Sequence, residues 1–221
     1  MIEVVADPAG VVAERLEAAG AAGAHIALTG GSTPREAYER VRDLGTAQLW
    51  FGDERCVPPD HEHSNFAMAD AALLERLGTG LLVHRMRGED GPVDGARAYE
   101  TELRAAFGQA EARLDLVLLG LGPDGHCASL FPGQDSLAER ERLVVGVPVA
   151  GLEPMVPRIT LTLPAINAAR EVVFLVAGAG KAEAVARAFG RQPDPSVPAA
   201  MVAPVDGTLT VLLDPAAAGR L

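Results

Sequence analysis

The run Leu116-Val117-Leu118-Leu119 has no polar break, and it leads into Gly120-Leu121-Gly122-Pro123-Asp124-Gly125-His126-Cys127-Ala128-Ser129-Leu130-Phe131-Pro132. A short run without polar alternation must be covered on both faces, which describes a strand inside a parallel sheet with a layer of helices on each side. Such a strand ends where the sheet opens to solvent, the edge at which open α/β sheets place their ligands. The residues that follow suit that edge. Glycines allow a sharp turn and close approach of a ligand to the backbone, and Asp124 and His126 are of the types that orient, donate and accept protons near neutral pH. A lone loop histidine is more often structural, but one flanked by Asp-Gly at a strand end points towards function.

The rest of the chain repeats the same alternation. Apolar patterning predicts strands over 2–5, 25–29, 48–51, 82–86, 114–119, 143–147, 171–177 and 208–213. Residues 154–164 alternate as a half-buried strand with Arg158 at its start. Between the strands, helices are predicted over 9–19, from Pro34, from Ser64-Asn65 to 77, over 93–107, 166–169 and 182–189, with a short helix at the C-terminus. No repeat, low-complexity tract or linker interrupts the pattern. The expectation is one α/β domain over residues 1–221, a Rossmann-like doubly wound and mainly parallel sheet with helices on both faces.

At 221 residues and 48% hydrophobic content the chain can bury a full core. Its net charge of −11 argues against nucleic acid as a partner, because phosphate-backbone binding needs a basic face. No run approaches the roughly 20 apolar residues of a membrane span, and residues 1–8 lack a basic region followed by an apolar core, so a cytoplasmic protein is expected. Cys56 and Cys127 each sit in a polar motif loop and make no disulfide framework; a reduced pair is expected. Lys181 is the only lysine among 19 basic residues, and the Arg, Ala and Gly richness has the look of coding bias, which leaves most arginines uninformative.

Four further stretches carry candidate chemistry. Gly30-Gly31-Ser32-Thr33-Pro34 follows a predicted strand; Ser32 or Thr33 can cap the next helix and Pro34 fits its first turn, which makes an anion site suited to phosphate or simply a capped helix. It is not a Walker A loop, since no Gly-Lys-Ser/Thr follows. In Gly52-Asp53-Glu54-Arg55-Cys56-Val57-Pro58-Pro59 a charge run usually marks a solvated loop, but Asp53 and Arg55 share a side if the segment stays extended. His61-Glu62-His63 is weak as a metal site without a third ligand, and no metal is expected. Lys181 stands in a helix first turn, where the dipole disfavours it unless an anion is near. Gly120, Gly122 and Gly125 also satisfy G-x-G-x-x-G, but Pro132-Gly133 stops any helix that a dinucleotide loop would open, and no acidic strand end follows.

Thr29-Gly30-Gly31-Ser32-Thr33-Pro34, Trp50 to Pro58 with Ser64-Asn65, Gly120 to Pro132, and Arg158-Ile159-Thr160-Leu161-Thr162 with Lys181 together resemble the 6-phosphogluconolactonase family, in register along essentially the whole chain. The resemblance implies the fold shared with glucosamine-6-phosphate deaminase and ribose-5-phosphate isomerase, and hydrolysis of 6-phosphogluconolactone in the oxidative pentose phosphate pathway without a cofactor. Deaminases carry a Phe-Asn-Glu-Pro type segment whose glutamate partners the histidine; this chain has Ser129-Leu130-Phe131-Pro132. On this basis Gly31, Ser32, Thr33, Arg158 and Lys181 are expected to hold the phosphate. His126 is the expected general base with Asp124 behind it, Arg55 or glycine-loop N–H groups the candidate oxyanion donors, and Asp53 a neighbour of the substrate hydroxyls. A Ser129 nucleophile is the less favoured chemistry, since no Gly-x-Ser-x-Gly elbow is present. A nicotinamide-dependent oxidoreductase and a non-catalytic sugar-phosphate sensor are the readings from other classes. A small molecule is the expected partner, and a monomer or weak homodimer the expected state.

Overall fold

In a computed structural model that describes residues 1–78, 80–108 and 111–221, the predicted central strand lies fourth of seven. The elements, in chain order, are β1 (Ile2–Val4), α1 (Pro8–Ala21), β2 (His25–Leu28), α2 (Ser32–Arg40), β3 (Gln48–Phe51), β4 (Asp53–Arg55), α3 (Asn65–Ala69), α4 (Glu75–Leu77), β5 (Leu82–Val83), α5 (Gly91–Ala106), β6 (Leu116–Leu119), β7 (Val144–Val147), β8 (Arg158–Leu161), α6 (Leu163–Asn167), β9 (Glu171–Val176), α7 (Ala182–Phe189) and β10 (Thr208–Leu213). A π-turn over Asp70–Leu74 joins α3 to α4.

The large sheet runs β1-β10-β9-β6-β2-β3-β5, and every neighbouring pair is parallel. All four residues of β6 and the last five of β9 are buried, so both faces of the sheet are covered, as uninterrupted apolar runs require. Each fully buried leucine in these strands contributes about 1.5–3 kcal/mol, more than any exposed ion pair on the surface. From β2 the chain moves outward to β3 and β5, and from β6 it moves the other way to β9 and β10. The loops after β2 and β6 therefore diverge between neighbouring strands, which is the switch point where doubly wound sheets leave a crevice.

Three segments depart from the expected single pattern. β4, β8 and β7 form a separate antiparallel sheet in that order, with Asp53 opposite Thr160 and Arg55 opposite Arg158. The charged run at 53–55 is thus a strand rather than a solvated loop, because β8 supplies its pairing partner. β8 itself spans only Arg158–Leu161 and is buried at every position, not half-buried, because it is the middle strand and α5 packs over it. The expected C-terminal helix is a series of turns after Asp214, whose Oδ1 accepts the Ala217 N–H. So few residues cannot repay helix nucleation. The helix expected over 166–169 starts earlier, at Leu163, where the Thr162 hydroxyl accepts the Ala165 N–H.

Candidate active site

The crevice at the switch point is a cleft of about 270 Å³. All the residues expected to act on a ligand line it except Asp124, which stands behind His126. Two buried tyrosines brace the strand ends that lead to it. The Tyr38 hydroxyl accepts the Thr29 N–H and donates to the Thr29 carbonyl, both at 2.9 Å, at the point where the chain leaves β2. Tyr99 does the same at the end of β3, accepting the Phe51 N–H at 2.7 Å and donating to its carbonyl at 3.1 Å. Each hydroxyl thereby pairs backbone groups that the diverging strands leave without a partner.

Beyond Thr29, Gly31 occupies the N-cap of α2 at φ +119°, a conformation that disfavours any other residue. Ser32 and Thr33 are the first helical residues, so neither is the cap that the sequence pattern had suggested. No side chain caps this helix, and its first-turn N–H groups have no partner within the helix. With the positive end of the helix dipole they make an anion-binding edge.

Across the cleft, Asp124 Oδ1 accepts the His126 N–H at 3.1 Å and meets His126 Nδ1 at 2.6 Å. An ionised carboxylate only accepts, which assigns the proton to Nδ1 and leaves the Nε2 lone pair free. Burial works to raise the Asp124 carboxyl, but the hydrogen bond and charge of His126 outweigh it and hold the carboxyl below the ordinary aspartate value. The tight turn depends on Gly122, where a Cβ would lie 2.0 Å from Nδ1. Phe131 packs against the imidazole with ring centroids 4.8 Å apart. Ala128 holds φ +48°, the one non-glycine in the left-handed region among the described residues, and such strain gathers where a loop is shaped for a ligand.

Asp53 is 6% exposed, with Oδ2 accepting from the Ser129 hydroxyl at 2.6 Å and Oδ1 from Asn65 Nδ2 at 3.1 Å. Ser129 is therefore bound to a carboxylate, not to His126. Arg55 donates from Nη1 to the His63 carbonyl at 2.7 Å, while its Nε–H is buried without a partner among the described residues. Arg158 is less free than a simple clamp: Nε donates to the Val156 carbonyl, and Nη2 to those of Leu152 and Pro154. Burial and the facing Arg55 charge lower its pKa. Lys181 donates from Nζ to the Leu121 carbonyl at 2.7 Å, and burial lowers its pKa too, against the pull of Asp124. Burial also pushes the Cys56 thiol up to about 11 and the Cys127 thiol to about 12, so both are poor nucleophiles. Both cysteines are free.

His61 and His63 serve the loop itself: His61 Nδ1 accepts the His63 N–H at 3.0 Å. Among the described residues no three metal-ligating side chains gather, and no helix is long and apolar enough to cross a membrane. Asn65, which lines the cleft, reads in the sequence as part of a helix start and of the family motif, with no role at the site; Glu54 reads only as a member of a charge run and of that motif, and Tyr38 and Tyr99 carry no assigned role. For Glu54 a signal existed, since a strand that turns Asp53 and Arg55 to one face turns Glu54 to the other.

The chain matches the model of the family described as glucosamine-6-phosphate isomerases/6-phosphogluconolactonase over residues 2–211. A 6-phosphogluconolactonase of Nostoc is 41% identical over 206 residues, covering 89% of this chain and 84% of that one. The human 6-phosphogluconolactonase is 40% identical over 207 residues, with 89% and 80% covered. The solved 6-phosphogluconolactonase of Trypanosoma cruzi superposes with a TM-score of 0.87 at 30% identity, over 100% of this chain and 96% of that one. With the doubly wound fold, a polar cleft at its switch point and relatives of this similarity along nearly its whole length, the chain belongs to the glucosamine-6-phosphate isomerase/6-phosphogluconolactonase family, among the 6-phosphogluconolactonases.

Proposed function

We propose that residues 1–221 act as one lactonase domain in the cytoplasm, hydrolysing 6-phospho-D-glucono-1,5-lactone to 6-phospho-D-gluconate in the oxidative pentose phosphate pathway. The observation that carries this reading is the Asp124–His126 pair facing the same cleft as the uncapped first turn of α2 and the cations Arg55, Arg158 and Lys181. A lactone with a phosphate at one end and an ester carbonyl at the other needs both parts at once.

The phosphate sits against Gly31 and the amides of Ser32 and Thr33, with Lys181 and the remaining donors of Arg158 supplying positive charge. His126 Nε2 takes a proton from a water as its oxygen attacks the lactone carbonyl. Asp124 holds the imidazole in the tautomer that can accept that proton and stabilises the imidazolium that results. The Arg55 guanidinium, which lines the cleft, is a donor for the oxygen on which negative charge develops, and a group of this kind contributes about 3 kcal/mol. When the tetrahedral intermediate collapses, the bond from the carbonyl carbon to the ring oxygen breaks. The imidazolium returns its proton to the leaving alkoxide, so the net change is the addition of one water. Asp53, held by Ser129 and Asn65, accepts from substrate hydroxyls.

Two contacts favour this chemistry over its rivals. The Ser129 hydroxyl is committed to Asp53, which supports water rather than serine as the nucleophile. At the position where the deaminases carry the glutamate that partners the histidine, this chain has Phe131, whose ring packs against the imidazole.

The test is the decay of freshly generated lactone, coupled to the dehydrogenase that consumes 6-phosphogluconate, with wild type, His126→Ala and no enzyme. Wild type should clear the spontaneous rate by orders of magnitude, and His126→Ala should lose about 10²- to 10⁴-fold. A wild type that binds 6-phosphogluconate but only matches the spontaneous rate would make the protein a sensor and remove the catalytic role from His126.

A further inference from the structure

We infer that Asn65 is a positioning residue that fixes the spacing between the anion-binding turn at Gly30–Thr33 and Asp53; the inference rests on the lactonase reading, in which one substrate spans both. The Asn65 side chain is 2% exposed and touches both halves of the cleft. On one side Nδ2 donates to the Asp53 carbonyl at 2.9 Å and to its Oδ1 at 3.1 Å. On the other, the amide lies against Gly30 so closely that a Cβ there would stand 1.9 Å from Oδ1 and 2.6 Å from Cγ. Gly30 ends the segment leaving β2, and Asp53 follows β3. The planar amide is thus a rigid spacer between the ends of two neighbouring strands, at the level where the substrate lies.

Glu54 keeps the spacer in place. Its carboxylate, 3% exposed, accepts the N–H groups of Asn65 at 2.7 Å and Phe66 at 2.8 Å, the Ser64 hydroxyl at 3.0 Å, and the Arg55 N–H at 2.7 Å. A buried carboxylate is tolerable only when its oxygens are satisfied in this way. Four donors leave it no part in the chemistry, but they pin the first turn of α3 to the underside of β4. Asp53 and Arg55 face the cleft from the opposite side of that strand.

A bound substrate reports such spacing directly, since misplacement by about 1 Å costs on the order of 10²-fold in rate. The experiment is a double-mutant cycle on kcat and KM with wild type, Gly30→Ala, Asn65→Ala and the double variant, each checked for an intact melting transition. Both single variants should lose about 10²-fold in kcat/KM. The double variant should be no worse than Asn65→Ala, because the amide that the new methyl strikes is gone. Asn65→Asp keeps the shape but faces Asp53 with a second carboxylate, so its lost activity should recover as the pH falls and the pair takes up a proton. Losses that multiply in the double variant, or an Asn65→Asp profile parallel to wild type, would overturn the inference. A wild type without turnover would sink the lactonase reading alone; the cycle is then scored on the dissociation constant of 6-phosphogluconate, where multiplying losses again refute it.

Discussion

Tyr38 and Tyr99 each spend one hydroxyl on two backbone groups, so replacing either by phenylalanine leaves a buried N–H and a buried carbonyl without partners. An orphaned buried polar group costs about 1–3 kcal/mol. Tyr38→Phe should therefore lower the unfolding free energy by about 2 kcal/mol, roughly 4–8 °C in Tm for a chain of this length, measured by calorimetry. Lys181 offers a second test. Burial lowers its pKa from the ordinary 10.5. Between the lowered folded value and the ordinary one the unfolded chain binds more protons, so stability of the free protein rises with pH through that window. Affinity for a phosphate-bearing substrate moves the other way as the cation is lost: KM should begin to climb at a pH below the usual lysine range, and Lys181→Arg should flatten that climb. That His126, Asp124 and Lys181 come together at the cleft was legible in the sequence because histidine, aspartate and a solitary lysine at strand ends are rare enough to stand out. Asn65 was not, since an asparagine behind a serine reads equally well as part of an ordinary helix start.

Among the elements, legibility followed hydrophobic pattern. β6 and β9 are uninterrupted apolar runs whose burial depends on nothing but their own composition. β4 is the reverse: Asp53-Glu54-Arg55 has no strand propensity, and it is extended because β8 pairs with it and because Glu54 anchors its far side. β8 looked half-buried from its alternation, yet its polar positions are also covered, Thr160 by Ser129 and Arg158 by the carbonyls around it. The second sheet was invisible for the same reason, as long-range pairing leaves no local signature. That sheet carries Asp53, Arg55 and Arg158 to the cleft, so the elements least readable in advance deliver much of the site.

At the scale of the whole molecule, a chain of net charge −11 gathers three cations at one cleft. Elsewhere arginines pair with acids at the surface, as Arg35 with Glu39, Arg40 with Asp7 and Arg97 with Asp94, and solvent screens such exposed pairs so that they add little to stability. The cleft differs because Arg55 and Arg158 stand directly opposite each other on β4 and β8, and like charges so placed repel. An anion at the cleft relieves that repulsion, so inorganic phosphate or 6-phosphogluconate should raise Tm, by the equivalent of about 2.7 kcal/mol at a hundredfold excess over Kd, and Arg158→Gln should blunt the gain. The facing arginines then bear on the durability of the fold as well as on what the cleft holds. Limited proteolysis should cut the ligand-free protein faster than the protein saturated with phosphate or 6-phosphogluconate.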